Sequence, residues 1–243
     1  MSFIYKYAGL SSCLQVSRVI DCLRSQKFWF SKFHELNDPM EGIFMHYASD
    51  VNKAACVTRR KNQYIISSFG SSDDNSTLWA YYASGFQGIC IGVDNGIASD
   101  EMPISYCDAV QFNQAIDFSD LPDAIAKRLL STKLRFWEPE KEIRVYKKQK
   151  TSGLKKIGKI KCVVFGRNMS VKILNDIICA IKISPHMYDS SSGQLLIYVK
   201  IAIPKSEDND FEKVKIIRCE NLDDFRDNFE QYYDWRENNV KKI

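Results

Sequence analysis

The sequence lacks any apolar run long enough to cross a membrane, and it lacks the residue spacings of the common metal and phosphate motifs. Its eight cysteines never come as close together as Cys-x-x-Cys, and its three histidines lie far apart. Neither a Gly-x-Ser-x-Gly elbow nor a Gly-rich phosphate loop is present. We therefore expect no membrane segment, no structural zinc site and no serine-hydrolase nucleophile of the usual type.

The chain also has no large excess of either charge. Its formal net charge is +4, and basic residues alternate with acidic ones except in short runs at 147–150 and 155–159. Such runs are typical of a solvated hairpin, and contact with nucleic acid there stays open. The N-terminal residues show no secretion signal, and cysteines spread through apolar runs are typical of a reducing compartment. We expect a cytoplasmic protein.

The sequence does contain enough apolar and aromatic residues, 45% and 12% of 243, for one sizeable core. Its predicted strands and helices do not alternate as a regular βαβ series, which favours an α+β fold. We predict a single domain over 1–243, in which a strand and helix within 186–243 complete a core formed by 1–185. The central sheet is expected to be mixed or antiparallel, either split or continuous, and flanked by helices.

Three helix starts and one long helix can be predicted from local patterns. Either Ser11 or Ser12 is expected to cap the first helix, and Ser170 a later one. A helix that starts near Ser119 is expected to run down to the strand that follows it. From Asn221 onward, apolar residues at helical spacing predict a long amphipathic helix that closes the chain.

The most informative segment is Lys133–Tyr146, which is predicted to lead from this helix into a strand with a Glu-x-Glu pair. The period of two along a strand places Glu140, Glu142 and Arg144 on one face, with apolar residues between them. Two carboxylates one pleat apart lie roughly 7 Å from each other, so both can address one sugar ring. The alternative is a solvent-facing strand with an ordinary charge ladder.

Other polar and aromatic residues mark further candidate walls of a site. Asn37 and Asp38 lie in a run of turn formers, which is either a functional loop or only an Asx turn. Ser67 and Ser68 begin a polar stretch at a strand end. Trp79 and Tyr82 are three residues apart on a predicted short helix, and they are either core residues or a flat surface for a ligand ring.

Taken in order, these segments resemble the bacterial domain-of-unknown-function 2971 family. The resemblance runs from residue 5 to about residue 185, and it implies no established chemistry. The segments that carry it are Tyr5-Lys-Tyr7, Leu36-Asn-Asp-Pro39, Ser67-Ser-Phe-Gly, Leu78-Trp-Ala-Tyr-Tyr-Ala83 with Gly88, and Trp137-x-x-Glu-x-Glu-x-Arg144 followed by Phe165-Gly166.

The same order of elements is also similar to that of ADP-ribosyltransferases, which cleave NAD at the bond between nicotinamide and ribose. That resemblance implies that Lys6, or the flanking Tyr5 or Tyr7, holds the adenylate or diphosphate. It implies that Ser67 and Ser68 brace the nicotinamide ribose and that Tyr82 stacks on nicotinamide. ADP-ribosyltransferases usually have arginine or histidine where this chain has Lys6.

The two glutamates receive the chemical roles. The resemblance implies that Glu142 bonds the ribose hydroxyl and stabilises the oxocarbenium-like transition state, while Glu140 orients or deprotonates the acceptor. A preorganised carboxylate has its largest effect where positive charge develops in a site without water. Arg144 on the same face is predicted to hold Glu142 ionised.

We therefore predict an NAD-consuming enzyme of ADP-ribosyltransferase or NAD glycohydrolase type, a bacterial or phage toxin or defence effector that needs no metal. Its acceptor is a protein or a nucleic acid, and an inhibitor or a second copy of the chain is a possible partner. The alternative is a non-catalytic module that binds a ligand or partner through the Asn37 loop and the aromatic helix. A glycosidase and a metal-dependent nuclease are the other enzyme classes considered.

Overall fold

A computed structural model of the protein describes residues 3–38, 40–94, 96, 101–112, 114–204 and 214–240. It has seven helices and fourteen strands in these residues, together with three short 3₁₀ helices at Phe33–Glu35, Ala48–Asp50 and Arg135–Glu140. In chain order the helices and strands are β1 (Phe3–Ala8), α1 (Cys13–Ser25), β2 (Lys27–Phe30), α2 (Val51–Lys61), β3 (Tyr64–Gly70), α3 (Ser76–Tyr81), β4 (Ile89–Asp94), β5 (Glu101–Pro103), β6 (Ser105–Cys107), α4 (Ala109–Phe112), α5 (Pro122–Leu130), β7 (Thr132–Leu134), β8 (Glu142–Lys148), β9 (Gly153–Lys156), β10 (Lys159–Gly166), α6 (Val171–Lys182), β11 (Tyr188–Asp189), β12 (Gln194–Leu195), β13 (Tyr198–Pro204), β14 (Val214–Cys219) and α7 (Leu222–Val240).

The chain divides into two compact units. Unit 1 consists of Met1–Lys27, Gly70–Gly96 and Lys156–Ile243, and unit 2 consists of Phe28–Phe69 and Ile97–Lys155. The predicted α+β class is confirmed, since helices and a mixed sheet occur together. The organisation of 1–243 as a single domain stays a prediction. None of the helices in the described part of the chain has the length and apolarity that a membrane span requires.

Five strands of unit 1 lie side by side in the order β14, β13, β10, β4, β1, and β11 and β12 form a separate pair. Strands β10 and β13 are parallel, and the other neighbouring pairs are antiparallel. Successive side chains of β10 point to opposite faces, so Val164 packs with Trp79 of α3, while Phe165 meets Phe225 of α7 at 4.8 Å between ring centroids. Helices therefore cover both faces of this sheet, as predicted.

Local capping sets the helix starts of unit 1. The Ser12 hydroxyl accepts a hydrogen bond from the Gln15 backbone N–H at 3.3 Å, and the Ser12 N–H donates to the Gln15 side chain at 3.1 Å. This reciprocal pair is a capping box, and it confirms Ser12 as the cap. Ser170 caps α6 as predicted. The predicted C-terminal helix is also confirmed as α7, although the side chains from 232 onward lie outside the described residues.

In unit 2, the strands β3, β8 and β5 are neighbours in that order, and β5 pairs with β8 in the antiparallel direction. Helices α2 and α5 pack against each other around Val57, Ile125 and Ala126. Strand β8 is the middle strand of the three, and both of its faces are buried, since Val145 is 1% exposed and its neighbour Arg144 is not exposed at all.

The predicted helix that leads directly into the Glu-x-Glu strand is wrong. Helix α5 ends at Leu130, and the chain then forms the short strand β7 and a 3₁₀ helix before β8 begins. The hydroxyls of Ser131 and Thr132 both donate to the carbonyl of Arg128, at 3.0 and 2.8 Å. These bonds satisfy a carbonyl that another helical turn would otherwise satisfy, so the helix stops there.

Candidate functional site

Strand β8 brings Glu142 and Arg144 to one face, as the period of two predicts. The alternative of a solvent-facing charge ladder is wrong, because Glu142 is only 6% exposed and Arg144 is fully buried. Buried charges are stable in proteins only when they are paired and hydrogen-bonded. The partners of these two side chains therefore define the candidate site.

The expected position of Glu140 on the same strand is also wrong. Glu140 ends the 3₁₀ helix Arg135–Glu140, and Lys141 follows with φ of 46° in the left-handed region. Pro139 has no N–H to donate to a strand ladder, and the Lys141 N–H bonds back to the carbonyl of Glu138 at 3.0 Å. The two carboxylates are therefore not one pleat apart, although both are buried.

Arg144 joins Glu142 to Glu41, a residue 103 positions away in the chain. Its two terminal nitrogens bond the two Glu41 oxygens at 2.7 and 2.5 Å, and its Nε bonds Glu142 at 2.7 Å. One terminal nitrogen also donates to the Leu130 carbonyl at 2.6 Å, and the other to Glu142 at 3.2 Å. All five N–H donors of the guanidinium thus have an acceptor.

Lys133 joins the remaining carboxylate to this arrangement. Its Nζ lies 2.7 Å from Glu140 and 2.9 Å from Glu142, and the ring of Trp137 lies 4.9 Å from the same nitrogen. Five buried side chains therefore form one connected set, which we call the buried ion network: Glu41, Lys133, Glu140, Glu142 and Arg144. It contains three carboxyl groups and two cationic groups, all within unit 2.

The network shifts the pKa values of two of its carboxyl groups in opposite directions. Burial opposes ionisation of Glu142, but Arg144, with Lys133 and Ser68 adding to its effect, holds the pKa of Glu142 at about 2. Burial has the larger effect on Glu41 and raises its pKa. Burial likewise opposes the charge on Arg144 and Lys133, yet their carboxylate partners raise the pKa of both. Glu142 is therefore ionised throughout the physiological range.

The serine stretch predicted near the glutamates does reach Glu142. The Ser68 side chain hydrogen-bonds the Glu142 carboxylate, while the neighbouring Ser67 is buried. Counting the contacts from Arg144 and Lys133, four donors address a carboxylate that offers roughly four acceptor positions. A substrate hydroxyl can therefore bond Glu142 only by displacing one of them, and Ser68 is the neutral one.

The loop that contains Asn37 contributes Glu41 to the buried ion network, a residue that the turn pattern does not indicate. Asn37 is exposed, and Pro39 lies outside the described residues. The buried Asp38 accepts a hydrogen bond from the Met40 N–H at 2.9 Å, which is the Asx turn considered above. The following residue, Glu41, enters the buried ion network. The loop thus positions a carboxylate beside Arg144, while its exposed asparagine does not take part.

The remaining predicted residues lie in unit 1. Tyr7 donates a hydrogen bond to the Ser72 carbonyl at 2.8 Å, and its ring packs edge-on against Trp79, with Tyr5 and Tyr82 against the same cluster. Trp79 is fully buried and stacked on another ring, so it is a core residue and not an open platform for a ligand.

Lys6 does not join the tyrosines that flank it. Alternation along β1 turns its side chain away from the face that carries Tyr5 and Tyr7, and its charge acts instead on the Cys22 thiol of α1. Lys6 and its flanking tyrosines therefore lie on opposite faces of β1, and which of them holds the adenylate or diphosphate stays a prediction. The convergence of Tyr5, Tyr7 and Tyr82 with Glu142 stays a prediction.

No family model, no curated protein and no solved structure matches the chain. The resemblances drawn from the motifs therefore stay predictions. Within the residues that the structure describes, no group of three or more histidine, cysteine, aspartate or glutamate side chains is placed to hold a metal ion.

Two members of the network were missed by the sequence reasoning. Glu41 follows the turn formers around Asn37 and Asp38, and no local pattern pairs it with a residue in a distant strand. Lys133 begins the segment that is predicted to lead from a helix into the strand, whereas β7 places it beside both glutamates. A weak signal exists for both, since Lys133 lies within the segment Lys133–Tyr146 and Glu41 lies two residues after Pro39.

A separate groove of about 510 Å³ lies elsewhere in unit 2. This volume is within the usual range for small-molecule sites. Tyr47, at its edge, is 69% exposed. The groove mixes acidic, basic and aromatic side chains, and its lining residues are Tyr47, Asp50, Lys53, Ala115, Ile116, Asp117, Phe118 and Ser119.

Lys61 is a buried amine beside the loop that carries Glu41. It donates a hydrogen bond to the Gly42 carbonyl, and its Nζ lies 4.5 and 5.0 Å from the ring centroids of Phe33 and Phe44. Burial lowers the pKa of Lys61 to about 8, from 10.5. Since the folded state loses this proton first, Lys61 contributes a free energy of unfolding that rises with pH between these two values and is at its minimum below pH 8.

We therefore expect Lys61→Met to change the pH dependence of stability. Between pH 7 and pH 10.5, the unaltered protein should gain about 3 kcal/mol relative to the variant, as a shift of that size converts to free energy. Urea unfolding of both proteins across this range measures the difference, in which the titrations of other groups cancel. A difference that does not change with pH would contradict the assignment of a depressed pKa.

Proposed function

We propose that the protein is an NAD-consuming enzyme of ADP-ribosyltransferase or glycohydrolase type and that Glu142 is its catalytic carboxylate. The observation that carries the proposal is the hydrogen bond between Ser68 and Glu142 inside the buried ion network. It joins Ser68 of β3, one of the two serines that the resemblance to ADP-ribosyltransferases assigns to the nicotinamide ribose, to a buried, ionised carboxylate on β8. As such an enzyme it would act on a protein or nucleic-acid acceptor in the cytoplasm, as a toxin or defence effector.

The chemistry follows from the charge on Glu142. When the bond between ribose C1′ and the nicotinamide nitrogen breaks, its electron pair leaves with nicotinamide and positive charge develops on the ribose. A carboxylate fixed by Arg144 and Lys133 is already oriented, so it stabilises this charge without reorganisation. Burial of Glu142 strengthens the effect, because few water dipoles screen it.

The neighbouring groups then have distinct roles. Ser68 bonds Glu142 at the acceptor position that a ribose hydroxyl would take. Its hydrogen bond is therefore lost when the substrate binds and forms again after the product leaves. Glu140, bonded to the same ammonium as Glu142, would orient the acceptor or remove its proton when the new bond to C1′ forms. If water is the acceptor, the products are ADP-ribose, nicotinamide and a proton.

The test is the release of nicotinamide from NAD by the purified protein, with and without candidate protein and nucleic-acid acceptors. Release above the rate in buffer supports the proposal, and transfer of labelled ADP-ribose to an added macromolecule separates a transferase from a glycohydrolase. A protein that leaves NAD intact with every acceptor contradicts it.

Removal of the Ser68 hydroxyl provides a more local prediction. Hydrogen bonds to charged groups contribute about 1.5–3 kcal/mol, and Ser68 must release its bond to Glu142 before a ribose hydroxyl binds, so Ser68→Ala should lower the KM for NAD by roughly tenfold or more while the protein stays folded. Tyr106→Phe is the matched control, since the Tyr106 hydroxyl accepts from the Glu142 backbone N–H at 2.9 Å and does not contact the carboxylate. An equal KM for NAD in the two variants would remove Ser68 from the mechanism.

A second function is favoured by a different observation. All acceptor positions of Glu142 are occupied, and a groove of ligand size lies elsewhere in unit 2. Both features fit a non-catalytic module in which the network is structural and the groove holds the ligand. Saturable binding of a ligand that depends on Tyr47 but not on Ser68, in a protein that does not cleave NAD, would establish this alternative.

A further inference from the structure

Two stretches of unit 2 that contain no acidic residue lie against each other. No aspartate or glutamate occurs from 51 to 69, which includes α2, or from 143 to 155, which includes the turn between β8 and β9. The Gln149 N–H in this turn donates to the Gln63 carbonyl at 2.6 Å, just beyond the end of α2. The buried Lys32 ammonium joins the same two segments, since it donates to the Gln149 carbonyl at 2.9 Å and to a carbonyl just after α2. The basic residues of both stretches therefore share one side of unit 2.

The cations on this side are exposed and mostly without an acidic partner. Arg60, in the last turn of α2, bonds the neutral side chain of Gln63 at 3.4 Å. Lys150 is exposed in the turn after β8, and within the described residues neither cation has a carboxylate at ion-pair distance. Lys148 has a side chain that is 55% exposed and lies 3.6 Å from Asp123. A cation in the last turn of a helix offsets the helix dipole, which accounts for Arg60 but not for the two lysines.

An exposed tryptophan accompanies these cations. Trp29 is 55% exposed on β2, three residues before Lys32, and β2 pairs with β9, which carries the exposed Leu154. The indole N–H donates to the Ser31 hydroxyl at 3.0 Å, which restrains the ring while much of it stays in contact with water. Neither a second ring nor a cation lies on the indole in the part of the chain that the structure describes. Trp29 thus differs from Trp79, which is fully buried and stacked on another ring.

The combination of open cations and an open ring favours one class of partner. Exposed cations without acidic neighbours attract any polyanion, and by themselves they select none. Single-stranded nucleic acid presents phosphates for such cations and unstacked bases for an aromatic ring. In a duplex the bases are stacked on each other, so an exposed indole finds no free base face there.

We propose that this side of unit 2 is a binding surface for single-stranded nucleic acid. The surface, which we call the basic-aromatic face, consists of Trp29, Arg60, Lys148 and Lys150. The indole stacks on a base, and the three cations contact phosphates on either side of it. Binding here requires no cleavage of NAD, so the basic-aromatic face is a partner site beyond the proposed activity. It also assigns a role to the basic run at 147–150.

The experiment follows the fluorescence anisotropy of a labelled single strand of about 12 nucleotides, a length within the usual range for such sites, as the full chain is added at several salt concentrations. We expect saturable binding that weakens as salt rises. Trp29→Leu, which keeps an apolar side chain but removes the ring, should weaken binding about fivefold or more. Lys150→Gln should reduce the slope of log affinity against log salt by about 0.7, the value for one phosphate contact on a single strand.

Two variants are matched controls, because they change an exposed ring and an exposed cation elsewhere in unit 2. Phe136→Leu removes a ring that is 80% exposed, and Arg135→Gln removes a guanidinium that is 58% exposed. Both should leave the affinity and the salt slope unchanged. Circular dichroism establishes that all variants are compared at equal folded fraction.

Absence of binding at low salt, an equal affinity for inorganic polyphosphate or for a duplex, or an affinity that Trp29→Leu does not change would each overturn the inference. Binding to vesicles of anionic phospholipid but not to the single strand would also overturn it, since the basic-aromatic face would then contact a membrane. The proposed activity is tested separately. If the single strand binds and NAD stays intact, the binding surface stands and the activity falls, and the opposite pair of results reverses both conclusions.

Discussion

Replacing Arg144 with methionine is expected to lower the free energy of unfolding by about 3–5 kcal/mol, because it leaves buried carboxylates without their main partner. Glu41 would lose both of its ion-pair contacts with the guanidinium, and Glu142 would retain Lys133. Methionine fills a similar volume, so the loss reports the charge and not a cavity. Urea unfolding at pH 7 measures the change.

The control is Arg135→Met, which removes an arginine whose side chain is 58% exposed and which pairs with Asp108 at 3.0 Å. Exposed ion pairs contribute about 0–1 kcal/mol, so this variant should remain close to the unaltered protein. The double variant Arg144→Met, Glu41→Gln should recover part of the loss, since it removes one of the unpaired carboxylates. A loss below about 1 kcal/mol in Arg144→Met would show that the network does not hold unit 2 together.

Replacing Glu142 with glutamine is expected to lower NAD turnover by about 10²–10³-fold for the folded protein, since a neutral amide does not stabilise the developing cation. Glu41→Gln is the matched control, because it removes a carboxylate from the same guanidinium but not the one bonded to Ser68. Both variants disturb the network, so turnover is compared at equal folded fraction, as measured by circular dichroism and urea titration.

Acid stability distinguishes the same two residues. The pKa of Glu142 is lowered in the folded state, so its contribution to stability is present above pH 4.5 and is lost as pH falls towards 2. The raised pKa of Glu41 acts in the opposite direction, since the folded state takes up its proton first on acidification. Glu142→Gln should therefore flatten the acid limb of the stability curve, and Glu41→Gln should not.

Local patterns were sufficient for several elements of the fold. The capping residues Ser12 and Ser170, the amphipathic pattern of α7 and the alternation in β8 each depend on neighbours within a few residues. The face shared by Glu142 and Arg144 follows from that alternation alone. These predictions hold because a short stretch of chain contains all the information that they need.

The environment of that face could not be predicted in the same way. Alternating charges on a strand form the same sequence pattern whether the face contacts water or is buried. The burial depends on partners outside the strand, such as Glu41, which lies 103 residues from Arg144. The left-handed Lys141 that removes Glu140 from the strand is likewise set by tertiary contacts, since lysine has no preference for that conformation. Long-range partners and strained turns are therefore the part of the site that one sequence does not supply.

The most direct test of the account is the rate of nicotinamide release from NAD by the unaltered protein and by Glu142→Gln, at equal folded fraction and with Glu41→Gln alongside. The account predicts release by the unaltered protein, retention of most of it in Glu41→Gln, and a loss of at least about a hundredfold in Glu142→Gln. Equal rates in the unaltered protein and Glu142→Gln, or no release from either, would contradict it and leave the network with a structural role alone.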